Sequence, residues 1–190
     1  MTFTISYSGE SVKSHRAATA YHEAGHAVVQ YYLHLPIRKV TIRPNKEKGS
    51  LGHCESKGPS YLGEIDLGVS PAQQDRIFRN IQALLAGNVA QQRFNKRSVR
   101  KWQTSSDYRK AAELAIRVTD TVGVRLLLGW LTHHTERLVQ DRWREIEAVA
   151  AALRERKTLT GDEIRDTING LYPAIRPPRK KSRYLPRRSI

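Results

Sequence analysis

The sequence predicts a mainly α-helical domain with a small β-hairpin or sheet beside its first helix. Apolar residues recur at steps of three and four through most of the chain, Ser, Thr and Asp clusters mark helix starts, and strict alternation is confined to residues 37–43 and 49–55. The 190 residues are 39% hydrophobic, enough to bury one sizeable core, so a single domain is expected over residues 15–172. Residues 1–14 precede it as an extension and residues 173–190 follow it as a tail.

The first helix is expected at about residues 15–34. Ala17, Ala20, Tyr21, Ala24, Ala27, Val28 and Tyr31 recur at helical steps and mark it as largely buried. Gly25 costs roughly 1 kcal/mol inside a helix, so its presence answers a need for close packing. Pro36 ends this segment, and Ile37-Arg38-Lys39-Val40-Thr41-Ile42-Arg43 then alternates as a strand up to Pro44. Gly49 to Glu55 returns as its partner. Ser70-Pro71-Ala72-Gln73 combines an N-cap, a proline at the first helical position and a capping-box glutamine. The helix it opens carries Ile77, Ile81, Leu84, Leu85 and Val89 and runs to about Phe94. Thr104-Ser105-Ser106-Asp107 reads as another capping cluster, opening a helix through Ala111, Ala112, Leu114, Ala115 and Val118. Further helices are expected at about 124–155 and 161–169, the last opened by Thr160-Gly161-Asp162-Glu163.

Charge is unevenly distributed. Lys and Arg number 33 against 18 Asp and Glu, a net charge of +15, of which residues 176–190 carry +7 with no acid. Pro173, Pro177, Pro178 and Pro186 break any helix there, so residues 173–190 read as a disordered basic tail. Such a tail is a contact for nucleic acid, an anionic surface or an acidic partner, or else a solvated appendage. No run of about 18 apolar residues occurs, and none is expected to cross a membrane. Met1-Thr2-Phe3-Thr4-Ile5-Ser6 lacks the basic-then-apolar pattern of a secretory signal, and the expected location is cytoplasmic. Cys54 is the only cysteine, so no intrachain disulfide can form. Beside His53 it reads as a half-buried strand residue rather than a metal ligand. His133 and His134 point about 100° apart on a helix and read as surface.

The chemistry concentrates in Tyr21-His22-Glu23-Ala24-Gly25-His26-Ala27. His22 and His26 lie four residues apart on one helical face, where both imidazoles reach a single zinc ion, and Glu23 sits about 100° round from His22. A catalytic zinc takes three protein ligands and leaves a position for water, whose pKa it lowers to about 7. Glu23 would take the proton from that water and deliver it to the leaving amine. A buried helix carrying two histidines and a glutamate needs polar partners, and a metal ion supplies them. The third ligand is read as a carboxylate from another helix, with Asp75, Asp107, Glu113 and Asp120 as candidates that spacing leaves open.

Several segments carry a family resemblance in the same order along the chain. They are Ala20-Tyr21-His22-Glu23-Ala24-Gly25-His26-Ala27-Val28-Val29, Lys39-Val40-Thr41-Ile42-Arg43-Pro44 with Leu51-Gly52, Leu84-Leu85-Ala86-Gly87-Asn88-Val89-Ala90, Thr104-Ser105-Ser106-Asp107-Tyr108-Arg109-Lys110-Ala111, and the closing Ala150 to Ile164 pattern. Together they resemble the FtsH family of ATP-dependent zinc proteases over about residues 17–170. The resemblance implies the helical FtsH-type metallopeptidase fold, with His22, His26 and Asp107 as zinc ligands and Glu23 as base. It also points to protein or peptide substrates, extended along the edge strand at 49–56.

The departures shape the functional expectation. No Gly is followed by Lys, so the P-loop of that family's ATPase is absent from these residues. Gln91 and Gln92 stand where the family carries an acidic pair, which leaves the ligands intact and alters a nearby charge network. The family works as a hexamer held partly by its ATPase, so a homo-oligomer is implied by resemblance alone. The favoured expectation is a zinc endopeptidase that cleaves unfolded or peptide substrates without its own ATPase, or with an unfoldase from another chain. The alternative is a non-catalytic binding or regulatory protein that keeps the fold and recruits nucleic acid or an acidic partner through its tail.

Overall fold

A computed structural model describes residues 9–44, 52–55, 69–98 and 101–172, with the side chains of 9–14, 53, 55 and 101–105 outside the description. Its elements run α1 (Gly9–Tyr32), β1 (Lys39–Thr41), β2 (His53–Glu55), α2 (Pro71–Phe94), a short 3-10 turn (Lys96–Ser98), α3 (Lys101–Ala115), α4 (Thr121–Asp141), α5 (Trp143–Arg156), β3 (Thr158–Thr160) and α6 (Gly161–Gly170). The mainly helical class with a small sheet is as expected. The basic segment 173–190 and the expected strand residues 49–51 lie outside the described residues.

Helix starts follow the capping chemistry of the sequence. The Ser70 hydroxyl accepts from the Gln73 amide and the Gln73 side chain accepts from the Ser70 amide at 2.9 Å, with Pro71 at the first helical position. Thr160 and Glu163 form the same reciprocal pair at α6. Three expectations change. The helix expected to begin at the Thr104–Asp107 cluster already starts at Lys101, so Asp107 lies within α3 and does not cap it. The single segment expected at 124–155 is two helices, α4 and α5, meeting at Arg142, whose backbone leaves the helical region at φ −109°, ψ 25°. A third strand, β3, follows α5, because Lys157 adopts a left-handed conformation at φ 69° and turns the chain sharply after the last helical residue.

The sheet is antiparallel in the order β2-β1-β3, with Val40 paired to Cys54 on one side and to Leu159 on the other. Val40 and Leu159 are fully buried against the helices. Two apolar clusters make the core. One gathers Ala20, Ala24, Ala27 and Val28 of α1 with Ile146, Val149 and Leu153 of α5 and Ile164 and Ile168 of α6. The other joins Ile77, Ile81 and Leu85 of α2 to Ala111 and Ala115 of α3 and Leu128 and Leu131 of α4. Helix α2 faces both, because Ala86 and Ala90 turn toward α1 while its isoleucines turn away. The α1–α2 contact is close: a Cβ on Gly25 would lie 2.6 Å from the Ala86 carbonyl oxygen and 2.6 Å from Ala90 Cβ.

One buried charge serves the fold. Glu145 at the start of α5 is fully buried, and its Oε1 accepts from Tyr32 at 2.8 Å and Tyr172 at 2.7 Å, with Arg142 Nη1 at 3.6 Å. Burial pushes the Glu145 carboxyl up, but the two phenol hydrogen bonds and Arg142 outweigh it and hold it below the ordinary range. Tyr32, half-buried and donating to that carboxylate, is pushed up to about 12. A depressed carboxylate stabilises the fold above its ordinary pKa of 4.5, and the contribution is lost as pH falls through the depressed value. Tyr32→Phe is therefore expected to cost about 1–2 kcal/mol at neutral pH. The deficit should shrink in acid. Urea melts of both proteins at pH 7 and about pH 3.5 check this, and an unchanged midpoint at pH 7 contradicts it.

Candidate metal centre

The helix that carries His22, Glu23 and His26 is buried on nearly every side from Ala17 to Gln30, and all three side chains are buried with it. The two imidazoles face α2 and α3. Helix α3 reaches them because Ala111 and Ala115 pack into the second core against α2, and small side chains there let the helices approach. That places Asp107, one turn before Ala111, over the histidines.

The donor atoms converge. His22 Nε2 and His26 Nε2 lie 3.1 Å apart, and Asp107 Oδ2 lies 3.2 Å from the first and 3.4 Å from the second. Zinc held tetrahedrally by bonds of about 2.0–2.1 Å requires its ligands about 3.3 Å from one another. The triangle therefore has the size of one face of a zinc tetrahedron, with nitrogen, nitrogen and carboxylate oxygen at its corners. Orientation agrees with it: His26 Nδ1 donates to the Ala83 carbonyl at 2.7 Å, which turns Nε2 inward, toward His22 and Asp107. Among the described residues nothing accepts from His22 Nδ1.

The other candidate carboxylates are occupied elsewhere. Asp75 pairs with Arg79, Glu113 lies 3.8 Å from Arg109, and Asp120 caps α4 by accepting from the Gly123 amide at 2.8 Å. Cys54 directs its thiol to Gln30 at 3.6 Å and stands outside the triangle. His133 and His134 are exposed on α4, where His134 meets the Trp130 ring at 4.5 Å. Gln91 is buried and donates to the Ser98 carbonyl at 2.6 Å, holding the turn before α3, whereas Gln92 is exposed.

Electrostatics separate Glu23 from the ligands. Burial raises its carboxyl above the ordinary range, assisted by Asp107 and opposed by His22, His26 and Lys110. A carboxylate raised in this way holds a proton more readily, as a general base needs. Burial lowers His26, but the Asp107 hydrogen bond and charge, with Glu23, push it up to about 9. Asp107 is half-buried, which pushes it up, yet its two imidazole contacts outweigh this and hold it far below the carboxylate range.

Two glycines that the sequence reading did not assign to the site complete it. A Cβ on Gly52, just before β2, would lie 2.5 Å from Glu23 Oε1. A Cβ on Gly87 would overlap the metal-facing edge of the His26 ring, Nε2 included. The signal for Gly87 was present: a glycine in a helix interior costs roughly 1 kcal/mol and asks for a packing reason.

Comparison with known proteins places relatives over the region that holds this cluster. The profile of peptidase family M41 matches residues 10–136, more than half of the 190-residue chain. The ATP-dependent zinc metalloprotease YME1L1 of Mus musculus is 31% identical over 120 residues, covering 62% of this chain and 16% of that protein. Its Homo sapiens counterpart is likewise 31% identical over 120 residues, covering 62% of this chain and 14% of that protein. An ATP-dependent zinc metalloprotease YME1 homolog of Caenorhabditis elegans is 27% identical over 191 aligned positions, 80% of this chain and 25% of that protein. The chain thus spans a quarter or less of the length of these relatives.

Two substitutions test the centre through zinc content measured on purified protein. Asp107→Ala is expected to weaken zinc binding by at least tenfold, since even the partners of metal ligands are worth roughly 10–100-fold. Full retention would remove Asp107 from the ligand set. Gly87→Ala is expected to displace His26 and lower zinc content while the far-UV circular dichroism keeps its helical form, and wild-type zinc content would contradict the packing argument.

Proposed function

We propose a zinc-dependent peptidase on one premise: this chain belongs to peptidase family M41. In this reading His22, His26 and Asp107 hold the ion and Glu23 is the general base. The observation that carries it is the 3.1–3.4 Å triangle of two imidazoles and one carboxylate, with a second carboxylate, Glu23, buried beside it.

Bound zinc supplies a water of pKa near 7 and polarisation of the scissile carbonyl. The chain's own residues do the rest. The Ala83 carbonyl fixes the His26 tautomer, and Asp107 supplies the negative charge that two neutral imidazoles lack. Glu23 takes the proton from the attacking water, holds it in a buried site that favours the neutral acid, and returns it to the amine nitrogen as the peptide bond breaks. Gly52 keeps the backbone entering β2 against that carboxylate. Among the described residues no strand pairs with the outer edge of β2, so a substrate strand added there runs past Glu23. Unfolded chains and peptides are the substrates that can add as a strand.

The relatives are named as ATP-dependent, and the P-loop motif does not occur in these 190 residues. Any motor therefore acts from outside them, and unstructured substrates need none. Among the described residues no helix is long and apolar enough to cross a membrane.

The test uses a zinc-loaded chain and an unstructured fluorogenic peptide. Glu23→Gln is expected to keep its zinc and lose about 10²–10⁴-fold in kcat/KM, the usual worth of a general base. Cleavage by Glu23→Gln at the wild-type rate would remove Glu23 from the mechanism. A wild-type chain that binds zinc yet leaves unstructured peptides intact would favour the non-catalytic alternative.

A further inference from the structure

A second feature lies on the same stripe of α1 as Glu23. Arg16 precedes Glu23 by seven residues, about 20° round the helix and about 10 Å along it. Arg16 forms one wall of an open groove of about 560 Å³, whose other residues are Ile42, Ala151, Arg154, Glu155 and Lys157. The volume is within the roughly 300–1,000 Å³ of ligand-sized sites.

The groove joins the metal centre through the sheet. Thr41 pairs with His53, so the next rung sets Ile42 of the groove beside Gly52, whose α-carbon abuts the Glu23 carboxylate. The roughly 10 Å of α1 between Arg16 and Glu23 is the span of about three extended residues, at roughly 3.3 Å each.

The chemistry of the walls selects the occupant. Among the described residues three cations, Arg16, Arg154 and Lys157, face one acid, Glu155, around the apolar groups of Ile42 and Ala151. No salt bridge among the described residues engages any of the three cations. Lys157 donates to the Arg154 carbonyl at the end of α5. The helix dipole alone accounts for cations in that last turn, but it does not account for Arg16 on the opposite wall. An aliphatic floor with a cationic rim fits a side chain pair of acid and aliphatic type. It offers a nucleic acid no aromatic ring on which to stack.

We propose that this groove is a substrate subsite that docks an acidic segment of polypeptide about three residues from the bond cleaved, so that the enzyme prefers substrates with Asp or Glu at that distance. The proposal rests on the peptidase reading, and its test is a binding measurement that needs no cleavage. Fluorescently labelled leucine-containing peptides of one length, differing only in Glu, Gln or Lys at the relevant position, are titrated by anisotropy into the zinc-loaded Glu23→Gln chain. The Glu peptide is expected to bind on the order of tenfold tighter than the Gln peptide, as a few exposed ion pairs together allow, with the gap narrowing in added salt. Arg16→Glu with Arg154→Glu is expected to reverse the preference toward the Lys peptide, while Arg137→Glu on exposed α4 leaves it unchanged. Equal binding of the three peptides to the unreversed groove overturns the proposal, whether or not the double variant folds. So does a preference that survives in a double variant with wild-type circular dichroism, or a single-stranded oligonucleotide that binds through the same arginines more tightly than the Glu peptide.

Discussion

The close approach of α1 and α2 is the constraint from which the site follows. Helices packed through ordinary side chains lie 8–10 Å apart, and here Gly25 lets the backbone of α1 settle onto Ala86 and Ala90 with no room for a Cβ. At that spacing His26 reaches both the Ala83 carbonyl and the surface left bare by Gly87. A wider gap would leave the imidazole without its orienting acceptor and Asp107 without its partners. The small residues of α2 thus act on chemistry through distance, and α3 inherits its position from the other face of the same helix.

Burying four ionisable groups together is costly unless each finds a partner. His22, His26 and Asp107 satisfy one another at 3.1–3.4 Å, which is the arrangement a divalent cation stabilises further. Glu23 shares the low-dielectric surroundings but points away, toward Gly52. Its environment raises its proton affinity while that of Asp107 falls. Two carboxylates that act on each other electrostatically are thereby driven to opposite protonation behaviour, one suited to hold a metal and the other to move a proton.

A second polar set works for the fold at the C-terminal end of α1. Tyr32, Glu145, Arg142 and Tyr172 tie the last turn of α1, the junction of α4 and α5 and the end of α6 to one buried carboxylate. Arg142 also covers the Tyr32 ring at 4.1 Å. The helix carrying the two histidines is therefore held beside them by glycine-mediated packing and at its C-terminus by charge-assisted hydrogen bonds. Tyr21, stacked on Phe94 at 4.1 Å and on Trp143 at 5.4 Å, links the two regions.

What the sequence determined was local. The buried face of α1, the two capping boxes, the two-histidine spacing and the glutamate between them all follow from patterns within a few residues, where periodicity and side-chain chemistry act directly. Family resemblance singled out Asp107, although its local reading as a helix cap was wrong because α3 begins a turn and a half earlier. Tertiary structure decided what depends on separation in the chain: which of Asp75, Asp107, Glu113 and Asp120 meets the histidines, and that the other three are spent on an arginine pair or a cap. It also added β3, whose three residues are too few for alternation to show, and brought Gly52 to Glu23 and Gly87 and the Ala83 carbonyl to His26. A glycine declares in sequence that something approaches closely, but only the packed helices show that the approaching group is an imidazole or a carboxylate.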